Sequence, residues 1–186
     1  MKIQRTTGKT LMMIGVASVL ALAGCKSQQP PVNEKPISYP GNDIDAQEKE
    51  LSGFLSQQGI PFSRDGANLV INLPETITFP SSSATLKAEG NTVITQIAKV
   101  LSKYTQSTVT VIGHTDSTGS AELNNRLSVQ RAESVARIMQ ANGVGDFRLK
   151  ALGAGSSRPV ASNDTAEGKA KNRRVDIVLS PLQLKR

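Results

Sequence analysis

Two charged residues, Asp116 and Arg131, stand where they could bind a ligand that carries both charges. Asp116 follows the apolar segment 108–113, which predicts a strand, so its carboxylate lies at a strand's C-terminal end. Arg131 lies in the segment 121–142, whose spacing predicts a long helix. Its side chain should lean toward the helix N-terminus and hence toward Asp116. Such a pair could bind an ammonium and a carboxylate of one zwitterionic molecule.

The helical spacing places Arg131 on a side of the helix that is otherwise apolar. At about 100° per residue from Leu127, the predicted buried face comprises Leu123, Leu127, Ala132, Val135, Ile138 and Met139. Arg131 and Asn124 fall within it. A guanidinium there must be paired or line a cleft. Two interpretations remain open, a buried Asp116–Arg131 ion pair without a ligand and a ligand-binding cleft that both residues face.

Two further residues are candidates for a supporting role. Arg173 shares its alternation with Val175 and Ile177 in a predicted strand, so it should point inward or line the cleft, and structural support is favoured. His114 precedes Asp116 by two residues. It is the chain's single histidine, and Cys25 is its single cysteine. This composition cannot supply a usual zinc site. With no nucleophile-elbow serine either, we expect no enzyme, metal or cofactor.

The elements that would position these residues alternate between strand and helix. Strands are predicted at 69–73, 108–113, 148–152 and 173–179, and helices at about 86–104 and 121–142. A loop rich in Gly, Ser, Pro and Asn covers 153–168, and Ile77 and Phe79 are expected to be extended. This β-α-β-α-β-β order predicts an α/β fold, a two-layer sandwich with two main helices on one face of a mixed sheet. A short amphipathic helix from Asp45 to Gln58 should pack beside it.

The N-terminal residues predict an export signal followed by a lipid anchor. Residues 1–24 combine a cationic start with an apolar run from Leu11 to Ala23, too short to span a bilayer core of ~30 Å. The sequence Leu22-Ala23-Gly24-Cys25 resembles a bacterial lipobox, which implies acylation of Cys25 and membrane attachment through its acyl chains. Lys26 stands where an Asp would favour inner-membrane retention in well-studied enterobacteria, so the resemblance implies sorting to the outer membrane. Residues 25–45 contain four prolines and predict a flexible tether.

Charge and aromatic content argue against nucleic acid as a partner. Removing Lys2, Arg5 and Lys9 with the signal lowers the formal net charge from +7 to +4, and the remaining basic residues alternate with acidic ones. The chain has no tryptophan and only six aromatic residues, whereas single-strand binding surfaces stack bases on aromatic rings.

Several short motifs, in this order, resemble one known family. The matching residues are Phe79 with 84–87, 111–116, Asn124 with 127–128 and 131–132, 153–155 with 158–159, and 172–175. Residues 67–181 resemble the OmpA C-terminal-like domain, which also occurs in peptidoglycan-associated lipoproteins and flagellar stator proteins. The predicted organisation is a signal at 1–24, the acylated tether at 25–45, a helical preface at 46–66 and this domain at 67–184.

The resemblance implies binding to diaminopimelate in the stem peptide of peptidoglycan. Asp116 would take the ammonium and Arg131 the adjacent carboxylate, while Asn124 and backbone groups near Thr115 would bind the same head group. Ser82 stands where some members place a ligand-contacting Asn. The sequence departs from the family at Pro80, where an acid or Asn is common, so this rim of the cleft could differ.

These observations favour an outer-membrane lipoprotein that holds the cell wall from the periplasm. The alternative is a regulatory or scaffold lipoprotein that captures a periplasmic or inner-membrane protein, either through the same domain or through residues 26–66. A wall hydrolase would need catalytic groups that the sequence lacks. A stator subunit would need a transmembrane helix where this chain has a lipobox.

Overall fold

The computed structural model describes residues 44–182, all within one compact unit. The predicted signal, Cys25 and almost all of the predicted tether lie outside the described residues. Within them, no helix is long and apolar enough to cross a membrane.

The fold is a mixed five-stranded sheet in the order β1-β2-β5-β3-β4. Neighbouring strands are antiparallel except β3 and β4, which are parallel. The strands are β1 Phe62–Asp65, β2 Asn68–Pro74, β3 Ser107–His114, β4 Leu149–Gly153 and β5 Arg174–Pro181. The helices are α1 Ile44–Gln57, α2 Glu75–Thr78, α3 Ala88–Leu101, α4 Ala121–Ala141 and α5 Ala166–Asn172, with a 3₁₀ turn at Asp146–Arg148. The predicted α/β sandwich with its mixed sheet is confirmed.

Alternation along the strands gives the sheet one apolar face. In register across β2, β5 and β3, the inward residues form rows such as Leu69–Leu179–Val109 and Ile71–Ile177–Val111, and all six are fully buried. Residues of α1, α3 and α4 complete this core, including Leu51, Leu55, Ile94, Ile97, Val135 and Met139. The division into a preface at 46–66 and a domain at 67–184 stays a prediction, although both parts contribute to one core.

Gly113 brings α4 against the end of β3. A Cβ at this position would lie 2.0 Å from the carbonyl oxygen of Ser128, so no other residue fits without moving the helix backbone. This close approach places the first turns of α4 directly beside the loop that follows β3.

Three local predictions were wrong. The segment around Ile77, predicted to be extended, forms the helical turn α2 after Pro74 ends β2. The helix α5 begins at Ala166, within the loop predicted over 153–168, and Arg173 caps this helix instead of lying in β5. Leu123, predicted to be buried, is 47% exposed, because the buried face of α4 is rotated toward Asn124, Ser128 and Val135.

Candidate functional site

A cleft of about 390 Å³ opens between the β3–α4 loop and the segment that follows α2. All five predicted binding residues line it, namely Ser82, Thr115, Asp116, Asn124 and Arg131, and so does Arg173, which was predicted to support them. The sequence predictions therefore converge on one place. Helix α4 begins at its edge, where the Ser120 side chain accepts a hydrogen bond from the backbone N–H of Leu123 and so caps the helix.

Four charged side chains form a continuous chain along the cleft, and we call Arg131, Glu75, Arg173 and Asp116 the cleft cluster. Nη2 of Arg131 donates to Oε1 of Glu75. The second carboxylate oxygen of Glu75 accepts from Nε of Arg173 at 2.6 Å. Nη1 of Arg173 then donates to Oδ2 of Asp116 at 2.7 Å. Two cations alternate with two anions, so the cluster as a whole is neutral.

The direct Asp116–Arg131 ion pair considered from the sequence is not formed, because Glu75 and Arg173 stand between the two residues. Both residues line the cleft, as the second interpretation requires, but Arg131 is only 1% exposed. Its Nε donates to the Ser83 carbonyl oxygen at 2.9 Å, and its guanidinium lies 5.2 Å from the centroid of the Phe79 ring. These contacts fix the guanidinium at the base of the cleft.

Asp116 is held as a carboxylate. Its burial would raise the pKa, but the hydrogen bonds from Arg173 and from the backbone and side chain of Thr118 outweigh this effect, so the pKa lies below its usual value. The backbone N–H of Thr118 donates to Oδ1 at 2.8 Å. The cleft therefore presents a fixed negative charge at neutral pH.

Thr115 and Asn124 play different parts in the cleft. The Thr115 hydroxyl is buried and has no hydrogen-bond partner among residues 44–182. By contrast, Nδ2 of Asn124 already donates to the carbonyl oxygens of Asp116 at 3.3 Å and Thr118 at 3.0 Å. Asn124 thus holds the loop in shape, whereas Thr115 keeps an unused hydroxyl in a cleft that it lines. Ser82 is exposed on the rim in a left-handed backbone conformation, with φ of 55°.

The comparison with known families matches residues 78–173 to the OmpA family. The chain belongs to the OmpA family. It is 49% identical over 142 residues to the probable lipoprotein YiaD of Escherichia coli, with 76% of this chain and 65% of that protein covered. It is 41% identical over 104 residues to the peptidoglycan-binding protein ArfA of Mycobacterium tuberculosis, with 56% of this chain and 32% of that protein covered. The matches thus span less than two thirds of either relative.

A solved structure agrees with this assignment. The cell wall anchor of the T6SS from Pseudomonas aeruginosa superimposes with a TM-score of 0.65 at 31% identity, and the match covers 73% of this chain and 96% of that one. The sequence-based resemblance to the OmpA-like domain is therefore confirmed.

The consecutive residues Asn172, Arg173 and Arg174 have three different roles, and only Arg173 enters the cleft. Asn172 anchors the loop after β4, since its Oδ1 accepts from Val160 and Ala161 and its Nδ2 donates to Asn163. Oδ1 of Asn163 in turn accepts from the backbone N–H of Ser117, at the cleft.

The other two of these residues point apart. Arg173 enters the cleft, and Arg174 turns to the opposite face of the sheet, where it donates to Asp176. The predicted supporting role of Arg173 fits its two ion pairs in the cleft cluster.

His114 lies away from the cleft. Its Nε2 is 3.1 Å from Oδ2 of Asp176, on the sheet face that turns away from α3 and α4. Asn72 and Arg174 donate hydrogen bonds to Asp176, at 2.7 Å and 3.1 Å. We call His114, Asn72, Asp176 and Arg174 the back-face cluster.

The pKa of Asp176 lies below its usual value. Burial alone would raise it, but contacts with His114, Asn72 and Arg174 outweigh burial. No group of three or more His, Cys, Asp or Glu side chains within residues 44–182 could hold a metal ion.

Glu75 is the site residue that sequence reasoning missed. It lies 56 residues from Arg131 and 98 from Arg173 along the chain. The one available signal was a carboxylate just beyond the end of a predicted strand, which resembles the position of Asp116 after β3.

Proposed function

We propose that the chain is an envelope lipoprotein that binds peptidoglycan non-covalently through this cleft and performs no catalysis. The ligand group is the zwitterionic end of diaminopimelate in the stem peptide. The observation that carries the proposal is the cleft cluster, in which a fixed carboxylate and a guanidinium border the same open volume.

The ammonium of the ligand would lie beside Asp116, whose lowered pKa keeps it charged. The ligand carboxylate would approach Arg131, whose bonds to the described residues use only Nε and Nη2 and leave Nη1 to donate. The Thr115 hydroxyl could then make the hydrogen bond that the free protein lacks. Asn124 would act mainly by holding the loop, because its amide nitrogen is already engaged.

Relatives support a wall-binding function. One is named a peptidoglycan-binding protein, and a solved structural neighbour is described as a cell wall anchor. The relative with 49% identity is named a probable lipoprotein, which agrees with the lipobox-like sequence before Cys25.

The proposed attachment is through acyl chains on Cys25 to the outer membrane, with the domain in the periplasm. Several acyl chains, at about 0.8 kcal/mol per buried CH₂, would make dissociation rare. A tether of 20 residues reaches at most ~65–70 Å when extended, so the domain would work close to the membrane.

Sedimentation with purified sacculi tests the wall-binding part. Detergent-solubilised full-length protein should pellet with diaminopimelate-containing sacculi, and free diaminopimelate should release it. Protein that stays in the supernatant, or pelleting that an excess of diaminopimelate leaves unchanged, would contradict the proposal.

Labelling with radioactive palmitate tests the anchor. The wild-type chain should incorporate label, and Cys25→Ser should not, because the thiol that accepts the lipid is gone. Equal labelling of both proteins would remove Cys25 as the attachment site without affecting the proposal about the cleft.

A further inference from the structure

Glu75 occupies the centre of the cleft cluster and is held more rigidly than a surface carboxylate. One of its oxygens accepts from Arg131 and the other from Arg173, and the residue is only 7% exposed. Its backbone is fixed as well, because its N–H donates to the Arg173 carbonyl oxygen at 3.0 Å and its own carbonyl accepts from Phe79. Glu75 also lies just before the residues matched to the OmpA family, which begin at 78.

Glu75 sets the net charge of the cleft cluster, while the exposed Arg126, which also lines the cleft, carries the same charge with or without Glu75. With two arginines and two carboxylates the cluster is neutral, and without Glu75 it would carry a charge of +1. A partly buried site with an uncompensated positive charge attracts any carboxylate or phosphate, whether or not the ligand also has an ammonium. A neutral cluster whose charges are separated binds most strongly to a ligand with both charges. The ligand's ammonium then lies beside the cluster's carboxylate and its carboxylate beside the guanidinium.

Glu75 also limits how a carboxylate can approach the arginines. Its two oxygens cover Nη2 of Arg131 and Nε of Arg173, and the Ser83 carbonyl covers Nε of Arg131. A ligand carboxylate therefore meets a guanidinium of which one edge is already satisfied. The attraction between the arginines and a ligand that carries only carboxylates is therefore weaker. Asp116 can still bind an ammonium.

We propose that Glu75 is a specificity-determining residue, which makes the cleft select a zwitterionic amino-acid head group and reject carboxylates that lack an ammonium. The inference rests on the proposed binding of diaminopimelate. Specificity here comes from a repulsive element, the second carboxylate, as much as from the attractive ones.

The experiment compares diaminopimelate with pimelate, which has the same carbon chain and both carboxylates but no amines. Dissociation constants are measured by NMR titration of the full-length protein in detergent for wild type, Glu75→Gln and Glu89→Gln. Glu89→Gln is the matched control, because it removes the same charge from an exposed position on α3.

The wild type should prefer diaminopimelate over pimelate. In Glu75→Gln this preference should fall on the order of tenfold, chiefly because pimelate binds more tightly to a cleft that has gained one unit of positive charge. Glu89→Gln should keep the wild-type ratio. An unchanged ratio in folded Glu75→Gln would overturn the inference.

Arg173→Gln provides a second test that does not depend on the folding of Glu75→Gln. It leaves the cluster with a charge of −1, so it should weaken pimelate binding and strengthen binding of 1,5-diaminopentane, which carries only ammonium groups. Because Arg173 is 31% exposed at its side chain, this variant is expected to fold. Wild-type affinity for both compounds would contradict the role of net charge.

The design separates two kinds of failure. If the wild type binds diaminopimelate and Asp116→Asn does not, but Glu75→Gln keeps the wild-type ratio, the inference about Glu75 is wrong and the proposed function stands. If the wild type binds no diaminopimelate, both are overturned.

Discussion

Arg173 and Arg174 are adjacent in the chain, yet they serve two charge clusters on opposite sides of the sheet. The cleft cluster and the back-face cluster each combine arginine with buried carboxylate, and in each the pKa of an aspartate lies below its usual value. Asp176 in the back-face cluster is surrounded by Asn72, Arg174 and His114. Asp116 instead borders open volume beside the unpartnered hydroxyl of Thr115.

This difference shows that buried charge alone does not mark a binding site. Asp176 does not line the cleft, so it has little to offer a ligand there, and its removal should mainly affect folding. Hydrogen-bonding capacity that remains unused beside an open cleft is what a ligand can exploit. The two clusters should therefore respond differently to substitution.

The largest effect is expected for Arg131, because its side chain is buried in the folded domain and also lines the cleft. Arg131→Ala should destabilise the protein by about 2–4 kcal/mol, because it empties a buried volume and leaves Glu75 with a single arginine. It should also abolish binding to sacculi. Arg131→Lys should recover part of each property, since an ammonium cannot make the same forked contacts. Urea unfolding and sacculus sedimentation measure both, and wild-type stability of the alanine variant would contradict the structural role.

Asp176→Asn should lower stability but leave binding to sacculi intact. Loss of the charge beside buried Arg174 should cost about 1–3 kcal/mol of unfolding free energy. The folded variant should bind sacculi within about twofold of wild type, because the substitution alters no cleft contact. Sedimentation below the unfolding transition tests this, and a large loss of binding by folded protein would show that the two clusters are coupled.

Thr115→Val should weaken ligand binding without lowering stability, because it removes only the side-chain hydroxyl. The valine keeps the shape of the side chain and removes a buried hydroxyl that lacks a partner, so the free energy of unfolding should stay the same or rise by up to about 1 kcal/mol. Affinity for diaminopimelate should fall about fivefold, the worth of one hydrogen bond. Unchanged affinity by NMR titration would exclude the hydroxyl from the contact.

The smallest effect is expected in the pH dependence of stability, to which Asp116 and Asp176 both contribute. A carboxyl whose pKa is lowered on folding contributes stability that is present above its unfolded pKa and is lost as pH falls through the folded value. Stability should therefore decline below about pH 4, near the unfolded pKa of aspartate. The decline should be shallower in Asp176→Asn, as measured by urea unfolding from pH 5 to pH 2. Parallel curves for the two proteins would contradict the lowered pKa of Asp176.

The sequence predicted the main strands and helices because their apolar residues repeat with clear periods. It did not predict β1, whose four residues Phe62–Asp65 are mostly polar, or α5, whose seven residues carry no apolar stripe. The helical turn α2 was missed because Ile77 and Phe79 alternate as they would in a strand. The side-chain cap of Thr165 on Gly168 was the local sign of α5.

For the site, the sequence pointed to Asp116, Arg131 and Arg173 but left their ion-pair partners open. Ion-pair partners depend on tertiary distance, and Glu75 reaches Arg131 only once β2 has paired with β5. His114, a candidate for a supporting role, lies away from the cleft. The strand ends at His114, so its side chain follows the alternation of β3, while Asp116 belongs to the loop.

The most direct test of the account is a matched pair of substitutions, Asp116→Asn and Asp176→Asn, measured with sacculi under identical conditions. Each removes one carboxylate charge and keeps nearly the same shape. Asp116→Asn should cost about 1 kcal/mol or less of stability, because Arg173 is partly exposed and still bound by Glu75. It should nevertheless weaken sacculus binding at least about tenfold, because the ligand ammonium loses its counter-charge. Binding at the wild-type level by folded Asp116→Asn, or an equal loss in the two variants, would contradict the claim that the cleft cluster is the wall-binding site.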